Sequence, residues 1–271
     1  MLHAERWNTL LILIISAIFF SCESVLDSGE DTLPIDWENG QSIAEAEDGH
    51  LTAGERQEWY KSAVELALRD VNSADSTEVE IPDGLVDLYY NALVHVVNSG
   101  LDEANRVTNE FEIRARPRMK HGEIIVMPDK EGASDWLQAW REGETETGNA
   151  AVDELIQKYD LVLESYSETE TNSYGTAILA TEKLLNPVAM AMDFEKIEEI
   201  INSESNNIAG DGNDILAGIE ETFISFRYKK KWGDCPAGCI HTRYFEFHIN
   251  AFGNVQFIDE GGDDFNEDGV Q

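Results

Sequence analysis

The chain has 271 residues, of which 54 are Asp or Glu and 19 are Lys or Arg, a formal net charge of −35 at pH 7. A polypeptide this acidic repels nucleic acid and anionic membrane surfaces, so binding to either through overall charge is excluded, and nucleic acid is not an expected partner. Disorder along the whole length is excluded as well, because 42% apolar residues, 9% aromatics and only six Pro supply enough apolar surface for a core.

In chain order the first segment is an address. Arg6 precedes an apolar run at residues 10–20 (LLILIISAIFF), and Ser21 and Cys22 follow. That run is too short to span a bilayer as a helix, but it suits the apolar region of a signal peptide. A small residue immediately before a cysteine resembles the lipobox of bacterial lipoprotein precursors. The resemblance implies that residues 1–21 are a lipoprotein signal peptide, that Cys22 is diacylated on its thiol, and that contact with the membrane is through this lipid anchor. An ordinary secretory signal cleaved nearby is the alternative. Residues 22–54 are rich in acids, poor in large apolar side chains and without sustained period, which predicts an acidic flexible tether. Docking of Ile35 and Trp37 on the folded part is the other reading of that stretch.

Residues 55–262 read as a single α+β domain. Trp59, Ala63, Leu66 and Ala67 share one stripe of a helix over 55–71. A second helix is predicted from a cap at Asp83 to Gly100, with Leu85, Leu88, Tyr89, Ala92 and Val96 on one face and His95 beside it as a half-buried, hydrogen-bonded histidine. A strand is predicted at 113–127, then a helix capped by Ser134 that carries Trp136, Leu137 and Trp140. Next comes a helix capped by Thr147 or Asn149, with Val152, Leu155, Ile156 and Tyr159 in register. Strands follow at 161–168 and 174–182. Asn186-Pro187 opens a helix through residue 201, a polar loop covers 202–214, and strands are predicted at 221–232, 240–249 and 255–259. The expected architecture is therefore an N-terminal helical pair, a ferredoxin-like βαββαβ unit and a C-terminal β-hairpin, ending in an acidic tail at 263–271.

Apart from Cys22 the cysteines are Cys235 and Cys239, four apart with Pro236 and Gly238 between them. In an exported chain this reads as a local disulfide at a hairpin tip. Redox chemistry fits less well, since no helix follows to lower a thiol pKa. A zinc site fits less well again, with only His241 near. The run KWGDCPAGCIHTRYFEF, together with TGN, LLNPVAMAMDF and GDGNDI, resembles lipoproteins of Bacteroidetes-type bacteria that share a WGDCPAGC motif, over about residues 55–262. The resemblance implies residence in the bacterial cell envelope as an outer-membrane lipoprotein. It brings no activity, substrate or catalytic residue.

Two acidic stretches carry oxygens suited to calcium. Asp211, Asn213 and Asp214 lie in a single copy of a calcium-repeat-like sequence, and Asp264, Asn266 and Asp268 stand at alternate positions of an EF-hand-like start. A plain polar turn and a frayed tail are the simpler readings, any calcium would be weakly held, and no other cofactor is expected. Basic residues are scarce, so two clusters stand out. Arg114, Arg116, Arg118 and Lys120 alternate along the predicted strand at 113–127, which places four positive charges on one strand face. Arg227, Lys229, Lys230, Lys231 and Arg243 surround the cysteine turn. Pairing with the protein's own acids is the simpler reading; an anion-binding face for an acidic glycan or partner is the sharper one. None of GxSxG, HExxH, a P-loop or a GxGxxG after a strand is present. The expected function is a lipid-anchored, non-catalytic envelope protein that binds another envelope protein or a glycan. An inhibitor or regulator of an exported peptidase and a glycan-acting hydrolase using two carboxylates are the alternatives.

Overall fold

The computed structural model describes residues 33–73 and 77–265; Cys22, the predicted signal peptide, Asn266 and Asp268 lie outside them. The architecture is α+β, with two antiparallel four-stranded sheets and two hydrophobic cores.

Helix α1 (Ala53–Ser73) starts at a reciprocal cap, in which Thr52 N–H donates to the Glu55 carboxylate at 2.7 Å and Glu55 N–H donates back to the Thr52 hydroxyl at 3.2 Å. Its predicted stripe of Trp59, Ala63, Leu66 and Ala67 is buried. Helix α2 (Asp83–Asn98) begins with Asp83 as its first residue, because Pro82, fixed in an extended conformation, takes the cap position. More than one face of α2 is buried, Val86, Leu93 and Val94 included, since α1, the second sheet and the N-terminal segment all pack around it. Short α3 (Asp102–Asn105) continues into a wider turn over Arg106–Glu110.

The first sheet comprises β1 (Met119–Pro128), β2 (Val162–Glu168), β3 (Gly175–Ala180) and β4 (Ile200–Asn207), in the order β2-β3-β1-β4. Helices α4 (Leu137–Glu142), α5 (Ala150–Tyr159) and α6 (Pro187–Phe194) cover one face and share a core with Ile124, Val126, Ala177 and Leu179. Alternation sends Ile125, Met127 and Ile178 to the other face.

The second sheet is a meander of β5 (Asp214–Ile219), β6 (Phe223–Trp232), β7 (His241–Asn250) and β8 (Val255–Gly262). Its inner residues, Ile215, Ile224, Phe226, Tyr228, Phe245, Phe247 and Ile249, pack on α1 and α2.

Several predicted boundaries differ. The helix expected to be capped by Ser134 begins at Leu137, with Trp136 in the cap position and no side-chain cap. The strand at 113–127 begins only at Met119, because Pro117 lacks an N–H and the N–H groups of Ala115, Arg116 and Arg118 donate to side chains instead of to a neighbouring strand. Helix α6 ends at Phe194, and residues 200–207 are a strand, not the end of a helix and a loop. Residues 221–232 therefore belong to a second sheet and do not close the first. Residues 33–54, predicted as part of the flexible tether, are instead packed against the folded part. From Leu33 onward the chain lies on the domain, burying Ile35, Ile43, Ala46 and Leu51. It bonds through Ile35 N–H to Glu221 O at 2.8 Å and through Ala44 N–H to Ala251 O at 2.9 Å. His95 Nε2 stands 2.8 Å from Ala44 O, and its ring covers Gly253, where a side chain has no room and φ is +80°.

Candidate functional site

A buried polar network joins α1 to both sheets. Glu65, 1% exposed on α1, receives Arg69 Nε at 3.0 Å, His121 Nε2 at 2.9 Å and Arg118 N–H at 3.3 Å. Asp214 receives Arg69 Nη2 and Arg116 N–H, both at 2.8 Å. Arg69 also donates to the carbonyls of Ile215 and Arg116. No periodic pattern marks Glu65 as the centre of such a network; the one signal is a carboxylate between Val64 and Leu66 on a helix that is otherwise apolar there.

The first basic cluster does not form one strand face. Arg114 lies over the Trp59 ring at 3.7 Å and donates to the Thr108 and Ile113 carbonyls, and burial lowers its pKa. Arg116 Nη2 donates to Ala209 O at 2.9 Å, Arg118 stands 4.0 Å from Asp214, and Lys120 pairs with Glu123 at 3.1 Å. With Arg114, Arg116 and Arg118 ahead of β1, each cation meets a different partner.

The second cluster splits by the pleat of β6. Lys230 points to the helix side, 5.3 Å from the centre of the Phe111 ring. Arg243, its cross-strand partner, pairs with Glu260 at 2.9 Å. Arg227, Lys229 and Lys231 alternate with the buried residues and stand on the outer face. Arg227 is held by Glu246 at 2.5 and 3.0 Å, and Lys231 by Asp211 at 2.6 Å. Lys229, between them, forms no ion pair or side-chain hydrogen bond among the described residues. Burial, and then the like charges of Lys231 and Arg227, push its ammonium below the ordinary lysine range.

On the same outer face, directly opposite Lys229 across the β6–β7 ladder, is Tyr244. Its ring rests on Gly261, the only residue type that lets a ring lie so close to the backbone there, and its O–H donates to Asp259 at 3.0 Å. The Arg227 guanidinium sits 4.8 Å from the centre of that ring. Farther along, Phe223 and His248 stack at 4.0 Å. A hollow of about 150 Å³ between Leu216, Ser225, Arg227 and Glu246 completes the surface.

Cys235 and Cys239 stand at disulfide-bonding distance in the β6–β7 turn. Asp211 pins that turn, since its N–H donates to Cys235 O at 3.2 Å and its carboxylate receives Cys239 N–H at 3.3 Å. Asp211, Asn213 and Asp214 do not converge on a common point. The first takes Lys231, the second accepts Lys231 N–H at 2.9 Å, and the third belongs to the Arg69 network. Asp264 is exposed and lies 3.5 Å from Arg243. Among the described residues, no group of three or more His, Cys, Asp or Glu is arranged to hold a metal ion, and no helix is long and apolar enough to cross a membrane.

Two larger hollows lie elsewhere. One of about 730 Å³ runs between residues 78–83, Lys158 and residues 183–185; the other, about 540 Å³, lies between the docked N-terminal segment and α2, with Trp37, Asp48 and Tyr90 in its lining. No protein-family model, no curated protein and no solved structure matches this chain.

Proposed function

We propose that the protein is a lipid-anchored component of a bacterial cell envelope, held at the outer membrane through Cys22, whose folded part is a non-catalytic binding domain. The observation that carries the binding reading is the outer face of the second sheet. Its two ten-residue strands, β6 and β7, present cations, aromatic rings and hydrogen-bonding groups to solvent while the opposite face packs on helices.

The order β2-β3-β1-β4, antiparallel at every pairing, supports a ferredoxin-like unit in which α4 with α5 forms the first crossover and α6 the second. That order also favours a second reading, an inhibitor or regulator of an exported peptidase, by analogy of fold alone. Slowed cleavage by an exported peptidase when the chain is added at micromolar concentration supports it, and unchanged cleavage removes it.

The anchor is tested by palmitate labelling and fractionation in a bacterial host. Wild type is labelled and sediments with membranes, whereas Cys22→Ser is unlabelled and leaves that fraction. Equal labelling of both chains, or none of either, overturns the anchor.

A further inference from the structure

We infer that the outer face of the second sheet is a binding site for a carboxylate-bearing sugar, with Lys229 receiving the carboxylate and the Tyr244 ring receiving the sugar face. This deepens the binding reading above and is independent of the lipid anchor.

Three observations converge. First, in a chain of net charge −35, Lys229 is a cation with no ion pair among the described residues, while both neighbours in its row are neutralised by Glu246 and Asp211. The facing carboxylate of its β5 partner, Asp214, is turned to Arg69 and the Arg116 N–H. An incoming carboxylate thus meets an ammonium that has no ion-pair partner at contact distance among the described residues, Asp214 and Asp211 acting on it only from farther away. The acids nearest to it already hold other donors, so it displaces none of their partners.

Second, the partial burial and like-charged neighbours that depress the Lys229 pKa are the conditions that an arriving anion relieves. Binding is therefore accompanied by a rise in that pKa. Third, Tyr244 stands beside Lys229 on a neighbouring strand about 5 Å away, laid over Gly261 with its O–H held by Asp259. A ring held against Gly261 between two cations, Lys229 opposite it and Arg227 with its guanidinium 4.8 Å from the ring centre, fits the apolar C–H face of a sugar whose charged group lies to the Lys229 side. A bare phosphate makes no use of the ring. Repulsion from the rest of the molecule is screened within about 8 Å at physiological ionic strength, whereas the contact with Lys229 is closer than that.

The test is calorimetric titration of the full chain with a galacturonic acid oligosaccharide, with the uncharged galactose oligosaccharide, and with inorganic phosphate. The acidic oligosaccharide is expected to bind at micromolar to millimolar concentration, and each of the other two at least tenfold more weakly. Lys229→Gln and Tyr244→Ala each weaken binding about tenfold or more, Lys229→Arg retains most of it, and Lys120→Gln leaves it unchanged. Unaltered thermal melting of Lys229→Gln separates loss of the site from loss of the fold. Equal binding of phosphate reduces the site to a generic anion contact. Equal binding of the neutral sugar, or no heat with the acidic one up to several millimolar, also overturns the proposal. Cys22→Ser binds the oligosaccharide like wild type, so the site and the anchor fail separately.

Discussion

Glu65 illustrates how much one buried carboxylate can organise. It is 1% exposed, and its donors come from α1 itself, from the segment leading into the first sheet and from His121 in β1. Removing Glu65 leaves Arg69 with Asp214 as its one remaining ion-pair partner among the described residues, and leaves the His121 and Arg118 donors without an acceptor in a site largely out of water. Glu65→Ala is expected to cost about 3–5 kcal/mol in urea unfolding, against less than about 1 kcal/mol for Lys61→Ala, whose pair with Glu58 is exposed on both sides. Equal losses would mean that the buried network contributes no more than an exposed pair. Two aspartates divide the pH dependence. Burial raises the pKa of Asp70, although the Tyr89 hydroxyl donates to it. Burial also pushes Asp193 upward, but hydrogen bonds from Lys196, Tyr159 and Lys158 outweigh it and hold that carboxyl well below the usual range. A depressed folded pKa contributes stability that is present above the ordinary value of 3.8 and is lost as pH falls through the lower folded value. Asp193→Asn is therefore destabilising at pH 7, and its cost shrinks progressively as pH falls below 3.8. A raised folded pKa works the other way, with stability present below the ordinary value and lost as pH rises through the raised one. Asp70→Asn keeps an oxygen for Tyr89 and is expected to raise the melting temperature at pH 7, with the gain vanishing toward pH 3. Melting curves across that range check both signs.

At the scale of elements, the caps show which local signals became tertiary joints. Asn186-Pro187 is legible as a helix start, and the Asn186 side chain does receive Val188 N–H at 3.1 Å. The sequence does not reveal that the same amide is fully buried and donates to Asn72 Oδ1 at 2.9 Å and Glu78 O at 3.1 Å, tying α6 to the end of α1. Asn149, which caps α5 from a half-buried position, has no such second role. Asn149→Ala is expected to cost about 1 kcal/mol. Asn186→Ala should cost about 2–3 kcal/mol, because two buried hydrogen bonds go with the cap. Asn186→Asp, which keeps the cap but sets a carboxylate against Asn72 Oδ1 and Glu78 O, is expected to recover little. Full recovery by Asp in denaturant titration would reduce Asn186 to an ordinary cap. The same contrast explains what the sequence could disclose of the fold. Amphipathic α1 and the strongly alternating β6 and β7 are read correctly because their patterns report a face against a core. Strand β4, INSESNN after its first Ile, defeats pattern reading: its inner positions are Ser203 and Ser205, small polar residues that the register sets against Val126 and Ile124. At the candidate site, the basic clusters were visible as composition. Only the pleat of β6 and the partners of each cation distinguish Lys229 from Lys230 and from the internally held Arg114 and Arg116.

For the whole molecule, the charge of −35 acts as a load on a fold whose ion pairs range from largely buried to exposed. Like charges at the surface repel over the Debye length, which shrinks from about 30 Å at 10 mM salt to about 8 Å at 150 mM. Adding salt therefore removes most of the repulsion between distant acids. The Glu65, Arg69 and Asp214 contacts, at 2.8–3.0 Å and largely out of water, are scarcely screened. Stability is thus expected to rise with salt over this range, by about 1–2 kcal/mol or roughly 3–6 °C in melting temperature. The rise should be monotonic and of similar size with potassium or sodium chloride, because it comes from screening and not from a bound ion. Glu65→Ala should show the same increment from a lower starting point, since the network and the surface field are separate terms. If melting temperature falls with salt, the exposed pairs such as Lys158 with Asp193 and Arg227 with Glu246 outweigh the net repulsion, and the acidic surface is better matched to its own cations than the total charge implies.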